Sequence, residues 1–171
     1  TPNNKLHSTQ VLGAEVILEG DTLAEAARHA HELEAREGLA FIHPYDDPAI
    51  IAGQGTVALE MLEQAPELEV LVVPIGGGGL ASGMAVAAKA LKPEIEVLGV
   101  ESKTWCAMYQ RLKGLPVQVG GDTIAEGLAV RDVGELPFSI LKAFTTEILL
   151  VDEETIERAI VSLIEIEKTV A

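Results

Sequence analysis

Three observations place this sequence in the α/β class, with a mostly parallel twisted sheet and flanking helices. Strand-like and helix-like patterns alternate along all 171 residues. One strand candidate, Val70-Leu71-Val72-Val73, is wholly apolar, the pattern of a strand buried between layers. It runs through Pro74-Ile75 into four consecutive glycines, Gly76 to Gly79, and then into a small-residue helix. Such alternation means parallel strands joined by helical crossovers.

The elements follow in order. Thr1-Pro2 reads as N-cap and first helical residue of a helix that stops at Gly13. Glu15 to Leu18 reads as a short strand. Thr22 and Glu25 are spaced as a capping box, opening a helix that ends at Gly38. Ala40 to His43 reads as a strand entering the turn Pro44-Tyr45-Asp46-Asp47-Pro48. A helix is expected from Gly55 to Gln64, and another from Leu80 to Lys92, where Ala81, Ala85 and Ala88 permit close packing. Val97 to Val100 is the next strand, and Thr104 to Lys113 reads as helical. Leu115 to Arg131 has no clear periodicity, and Gly120-Gly121 and Gly127 mark turns in it. A short helix, Phe138 to Ala143, precedes a strand, Ile148 to Val151; a helix capped by Asp152 then runs to the end.

Composition bounds the function. The chain carries 12 basic and 27 acidic residues, a formal charge of −15, which argues against nucleic-acid or anionic-membrane partners. A backbone cradle for a small anion needs no net positive charge. Cys106 is the one cysteine, so an intrachain disulfide is excluded and a cytoplasmic location fits. Apolar stretches are too short and too often broken by Gly or Lys to span a membrane. The chain opens on Thr1 and stops within a helical pattern at Ala171, so both ends read as cut.

The glycine run following a strand and preceding a helix reads as an anion cradle. Glycines bring backbone N–H groups close to an anion, and the helix start adds unpaired donors and a favourable dipole. Two cofactors compete for it. Gly76, Gly78 and Ala81 fit G-x-G-x-x-A, and Glu101 sits where a ribose-binding acid belongs in a dinucleotide site. Four successive glycines instead suggest backbone wrapped around one compact phosphate.

The flanking residues favour the second. Phe41-Ile42-His43-Pro44-Tyr45-Asp46-Asp47-Pro48, Ile51-Ala52-Gly53-Gln54-Gly55-Thr56 and Val73-Pro74-Ile75-Gly76-Gly77-Gly78-Gly79-Leu80 resemble the threonine and serine dehydratases, with serine racemase close by. Gly99-Val100-Glu101 and Asp122-Thr123-Ile124-Ala125-Glu126-Gly127-Leu128-Ala129-Val130 extend the resemblance over essentially the whole chain. It implies a tryptophan synthase β-like, fold type II pyridoxal-phosphate enzyme. Residues 1–40 would be the C-terminal part of the small domain, and 41–171 a partial large cofactor-binding domain. Gly76, Gly77, Gly78, Gly79 and Leu80 would hold the phosphate of pyridoxal 5′-phosphate, and Gly127 would lie near its ring. Tyr45 would sit close to the cofactor, while His43, Gln54 and Thr56 would order the site.

The family's Schiff-base lysine lies upstream of the glycine loop in a segment this sequence does not contain. Lys5, Lys89, Lys92, Lys103, Lys113, Lys142 and Lys168 read as solvated charges, so no catalytic residue is assigned. Glu101 matches one ligand of a divalent ion found in some relatives, but Ala107 stands where a second carboxylate belongs, so no metal is assigned and Glu101 reads as a helix cap or surface acid. The expected activity of the complete enzyme is β-elimination of L-threonine or L-serine to a 2-oxo acid and ammonia, in a homo-oligomer. The alternatives are a serine racemase-like fragment, a non-catalytic truncated binding module and a nicotinamide-dependent oxidoreductase.

Overall fold

The computed structural model describes residues 3–169 and falls into two compact units, one ending at Ile42 and the other beginning at His43. The helix start expected at Thr1-Pro2 lies outside the described residues.

The first unit holds two helices, α1 (Asn3–Val11) and α2 (Leu23–Glu37). Gly13, at φ +88°, ends the turn after α1. Thr22 and Glu25 form the expected capping box on α2, and Gly38 closes it in the left-handed conformation at φ 70°. After α2 the chain folds back, where the His31 and Phe41 rings stack at 4.1 Å and the Phe41 amide donates to Glu34. The strands expected at Glu15–Leu18 and Ala40–His43 do not form. Alternating or apolar pattern does not make a strand without a ladder partner for its N–H and C=O groups, and the three described strands all lie in the second unit.

The second unit runs α3 (Pro48–Gln64), β1 (Val70–Pro74), α4 (Gly79–Leu91), β2 (Glu96–Ser102), α5 (Ala107–Leu112), α6 (Glu135–Phe144), β3 (Glu147–Val151) and α7 (Glu153–Ser162). The sheet is parallel in the order β1-β2-β3, with Val72 opposite Leu98 and Gly99 opposite Ile148. Leu71, Val73, Ile75, Val97 and Ile148 of one face join Ala81, Met84, Ala85 and Ala88 of α4 and Leu141 of α6 in the core. The wholly apolar β1 does not have both faces buried, as its sequence suggests. Val72 on the opposite face is 62% exposed, because the described helices cover one side.

Helix α4 is pressed directly onto α3. A Cβ on Gly83 would fall on the Ile51 carbonyl and 2.6 Å from the Gly55 nitrogen, and one on Gly55 would lie 3.0 Å from the Gly83 carbonyl oxygen. Backbone meets backbone there, and only glycine fits.

Several boundaries differ from the sequence reading for identifiable reasons. Helix α3 begins at Pro48 rather than Gly55, since Asp47 accepts from the Ala49 and Ile50 amides and Pro48 occupies the first turn. The helix expected over Thr104–Lys113 is split at Cys106 into a 3-10 turn (Lys103–Trp105) and α5, each with its own cap, Ser102 for the first and Glu101 for the second. Helix α6 starts at Glu135 rather than Phe138, because Asp46 captures its first amides from far away in sequence. Asp152 caps α7 as expected, and the helical path continues in a π turn (Leu163–Glu167) that Lys168 ends at φ 55°. Val170 and Ala171 lie outside the described residues.

Candidate functional site

The glycine loop joins the C-terminal end of β1 to the N-terminus of α4. On its strand side, the Ile75 amide donates to the Val100 carbonyl at 2.8 Å; on its helix side, the Ser82 amide donates to the Gly78 carbonyl at 2.9 Å. Between these two bonds, the N–H groups of Gly76 through Ala81 have no protein acceptor among the described residues. Gly78 is the N-cap at φ 97°, a conformation open to glycine, and it offers no side-chain oxygen to the helix. Every later helix start receives one: α5 from Glu101, α6 from Asp46 and α7 from Asp152. Helices α2 and α3 are capped by Thr22 and Asp47. An uncapped helix start facing a run of free amides offers donors of the kind an anion can satisfy.

Protein groups box the loop on three sides. The Tyr45 ring lies on Gly77 so closely that a Cβ there would fall inside it, and Tyr45 backbone atoms would stand 3.0 Å from a Cβ on Gly79. A Cβ on Gly78 would meet Pro137 and Met108 at 2.7 and 2.9 Å. A Cβ on Gly76 would lie 3.2 Å from the Leu128 Cα and 3.3 Å from the Gly127 carbonyl oxygen. Packing of the protein itself therefore requires glycine at 77 and 78 and leaves only tight space at 76 and 79, a demand that the anion-cradle reading of the sequence does not contain.

The segment His43 to Asp47 acts as a clasp on this loop. His43 Nδ1 accepts from the amides of Tyr45 and Asp46 at 3.2 and 2.7 Å, shaping the turn. The Tyr45 hydroxyl donates to the Asp132 carbonyl at 2.6 Å, and burial pushes its pKa up, which keeps it a neutral donor. Asp46 takes the Glu135 and Leu136 amides at 2.9 and 3.1 Å, while the Gly134 amide donates to the Gly77 carbonyl at 3.2 Å. Adjacent aspartates thus start two different helices, α6 and α3.

A family model described as "Pyridoxal-phosphate dependent enzyme" matches residues 1–171. The chain belongs to that family. Over 172 residues it is 44% identical to the L-threonine ammonia-lyase of Thermotoga maritima, a match that covers 99% of this chain and 43% of that protein. Among solved structures, maize serine racemase aligns with a TM-score of 0.92 at 32% identity, covering 98% of this chain and 51% of that one. The processed form of threonine deaminase isoform 2 from Solanum lycopersicum aligns at 0.90 and 35% identity, over 99% of this chain and 47% of that one. The fold is accordingly that of the fold type II pyridoxal-phosphate enzymes, and the chain spans about half the length of these relatives.

In this member of the family the residues singled out from sequence are only partly brought together. Gly76 to Leu80 form the loop, with Gly77, Gly78 and Gly79 buried. Gly127 sits in a 3-10 turn (Glu126–Leu128) against Gly76, exposed and with open space beside its Cα. Gln54 and Thr56 are exposed on α3, and the Thr56 hydroxyl donates back to Gly53. Glu101 is buried at 1% exposure, not at the surface, and its two oxygens accept from the Met108 and Tyr109 amides at 3.0 and 2.7 Å. Burial raises its pKa to about 7 against the lowering effect of those two amides. Bound this way, it caps α5 and is unavailable to a ribose.

One contributor has no sequence signal. Glu153, at the start of α7, accepts from the Ser102 hydroxyl at 2.8 Å and the Ile124 amide at 3.1 Å, tying the segment before Gly127 to the end of β2. These contacts, Ser102 foremost, lower its pKa. Cys106 is buried, its thiol donates to the Lys103 carbonyl, and burial raises its pKa, so it is no thiolate nucleophile.

Proposed function

We propose that this chain is the phosphate-gripping part of a pyridoxal-phosphate-dependent ammonia-lyase that converts L-threonine or L-serine to a 2-oxo acid and ammonia. In this reading Gly76, Gly77, Gly78, Gly79 and Leu80 hold the cofactor phosphate and Gly127 lies beside its ring. Residues up to 40 are the tail of a small domain, and residues from 41 belong to a larger cofactor-binding domain. The observation that carries it is the unbroken run of unpartnered amides from Gly76 to Ala81 at an uncapped helix start. A phosphate satisfies several convergent N–H donors at once, and the α4 dipole favours its charge. The similarity to threonine ammonia-lyase supports the substrate class.

The chain's own residues then bind and orient. The amides fix the phosphate as a pivot, and the Tyr45 ring closes one wall of the loop. The Asp46 carboxylate holds α6, and with it Gly134, against Gly77, so the donors keep one aim. Pyridoxal phosphate, when bound, supplies an electron sink that acidifies the substrate Cα–H.

Amide NMR of protein labelled with 15N at glycine tests the grip. Pyridoxal 5′-phosphate should move the Gly76–Gly79 signals and bind at least tenfold more tightly than pyridoxal, which lacks the phosphate. Equal affinity for the two, or unmoved loop signals on binding, would exclude the assignment. The substrate reading is tested on the full-length protein, where 2-oxobutanoate should form from L-threonine; D-serine formed from L-serine without 2-oxo acid would mean racemisation instead.

A further inference from the structure

A cavity lies at the C-terminal end of α6, where α5 and α6 finish and β3 begins. Its volume is about 200 Å³, and Leu141 and Ile148 contribute its apolar floor. Two lysines line it, Lys113 just after α5 and Lys142 in the last turn of α6.

These two differ from the chain's other lysines. Lys89, Lys92, Lys103 and Lys168 each donate to a protein oxygen. Lys113 and Lys142 donate to none among the described residues. Their ammonium groups rest instead over aromatic rings, 5.7 Å from the centre of Tyr109 and 5.9 Å from that of Phe138. Thr145 lines the same cavity, and its hydroxyl is the one buried side-chain oxygen or nitrogen without a hydrogen-bond partner among the described residues. Three polar groups without a protein hydrogen-bond partner among the described residues thus border one cavity of mixed polar and apolar lining, in a chain with a formal charge of −15.

We infer that this cavity is a separate ligand site and that it takes a small aliphatic monocarboxylate. The lysines supply charge-assisted donors for one carboxylate, Thr145 supplies a further hydroxyl, and the leucine–isoleucine floor accepts an alkyl body. The charge is limited to one. The carbonyl ends of α5 and α6 point to this region and Glu147 lines it, so a dianion such as a phosphate ester is disfavoured relative to a monoanion. The glycine loop has no part in this inference, which stands or falls independently of the cofactor reading.

The test is a titration of the purified protein with 3-methylbutanoate and, separately, with its neutral isostere 3-methylbutanamide, followed by backbone amide NMR. The carboxylate should shift the Tyr109–Lys113 and Thr145–Ile148 amides saturably, with the neutral amide at least tenfold weaker. Lys113→Gln and Lys142→Gln should each weaken the carboxylate about fivefold, as expected for partly exposed charge contacts. Both lysines are exposed, so an unchanged spectrum elsewhere checks that the variants fold. Equal affinity for acid and amide, unchanged binding in the double variant, or no saturable shift at about 10 mM would overturn the site. Shifts centred on Gly76–Gly79 would also overturn it, since they would place the carboxylate in the phosphate loop.

Discussion

Helices α2 and α4 start in opposite ways. At α2 the Thr22 hydroxyl accepts from the Glu25 amide at 3.2 Å, and the Glu25 carboxylate takes the Asp21 and Thr22 amides at 2.9 and 3.1 Å. The first turn is complete without any ligand. At α4 the cap is a glycine and the amides around it point into a loop with no acceptor. With glycine at the cap, doing without a side-chain oxygen costs the helix only about a few tenths of a kcal/mol. The difference teaches where to look for a binding site in this fold: at the helix start that the chain leaves unfinished while finishing those around it.

Four measurements test this contrast. Gly77→Ala drives a methyl into the Tyr45 ring and should lower stability by about 3 kcal/mol in chemical denaturation. If the ring is the obstacle, the loss should shrink by about 1 kcal/mol or more in a Tyr45→Ala background. Strict additivity would mean that the loop is intolerant for another reason.

Asp46→Ala removes the carboxylate that takes two α6 amides, and should cost about 2 kcal/mol. It should also weaken phosphate binding at the loop, since Gly134 at the start of α6 bonds Gly77. An effect on stability with phosphate affinity intact would detach the clasp from the site.

Glu101 gives a pH test. Its folded pKa of about 7 lies above the ordinary 4.5, so the folded state holds the proton more tightly than the unfolded chain. Its stabilising contribution is complete below pH 4.5 and is lost as pH rises through 7. Glu101 should therefore contribute a fall in unfolding free energy across that window. Glu101→Gln should flatten this component; an unchanged pH slope would mean that Glu101 is not the group titrating in that window.

The smallest effect belongs to the closed start. Thr22→Ala should cost about 1 kcal/mol, read as faster amide exchange over Leu23–Glu37. It should leave the Gly76–Ala81 amides and their response to phosphate untouched.

What could be read in the sequence was local. The capping box at Thr22 and Glu25, the stop at Gly38, the Asp152 cap and the strand–glycine–helix order all depend on residues within a few positions of each other. Non-local partners were not legible. Asp46 reaches α6, the Tyr45 hydroxyl reaches Asp132 and Glu153 reaches Ile124 across long stretches of chain. Adjacent aspartates before Pro48 were the one available signal, and read as a turn they hid the beginning of α3. The glycine loop was visible as a candidate cradle, but the packing demand on its glycines was not. No pattern in the glycines announces that Tyr45, Pro137 and Leu128 occupy the space their side chains would need.

The direct backbone contact between Gly55 of α3 and Gly83 of α4 has a thermodynamic consequence for ligand capture. A helix seated on its neighbour without intervening side chains has little freedom to slide or roll, so the direction of its leading amides is established when the chain folds. An anion binding there, as proposed, would meet donors that are already aligned, with little conformational entropy left to lose at that moment. Association at this loop should accordingly resemble the filling of a rigid socket, with a rate governed by encounter and desolvation rather than by rearrangement of the chain.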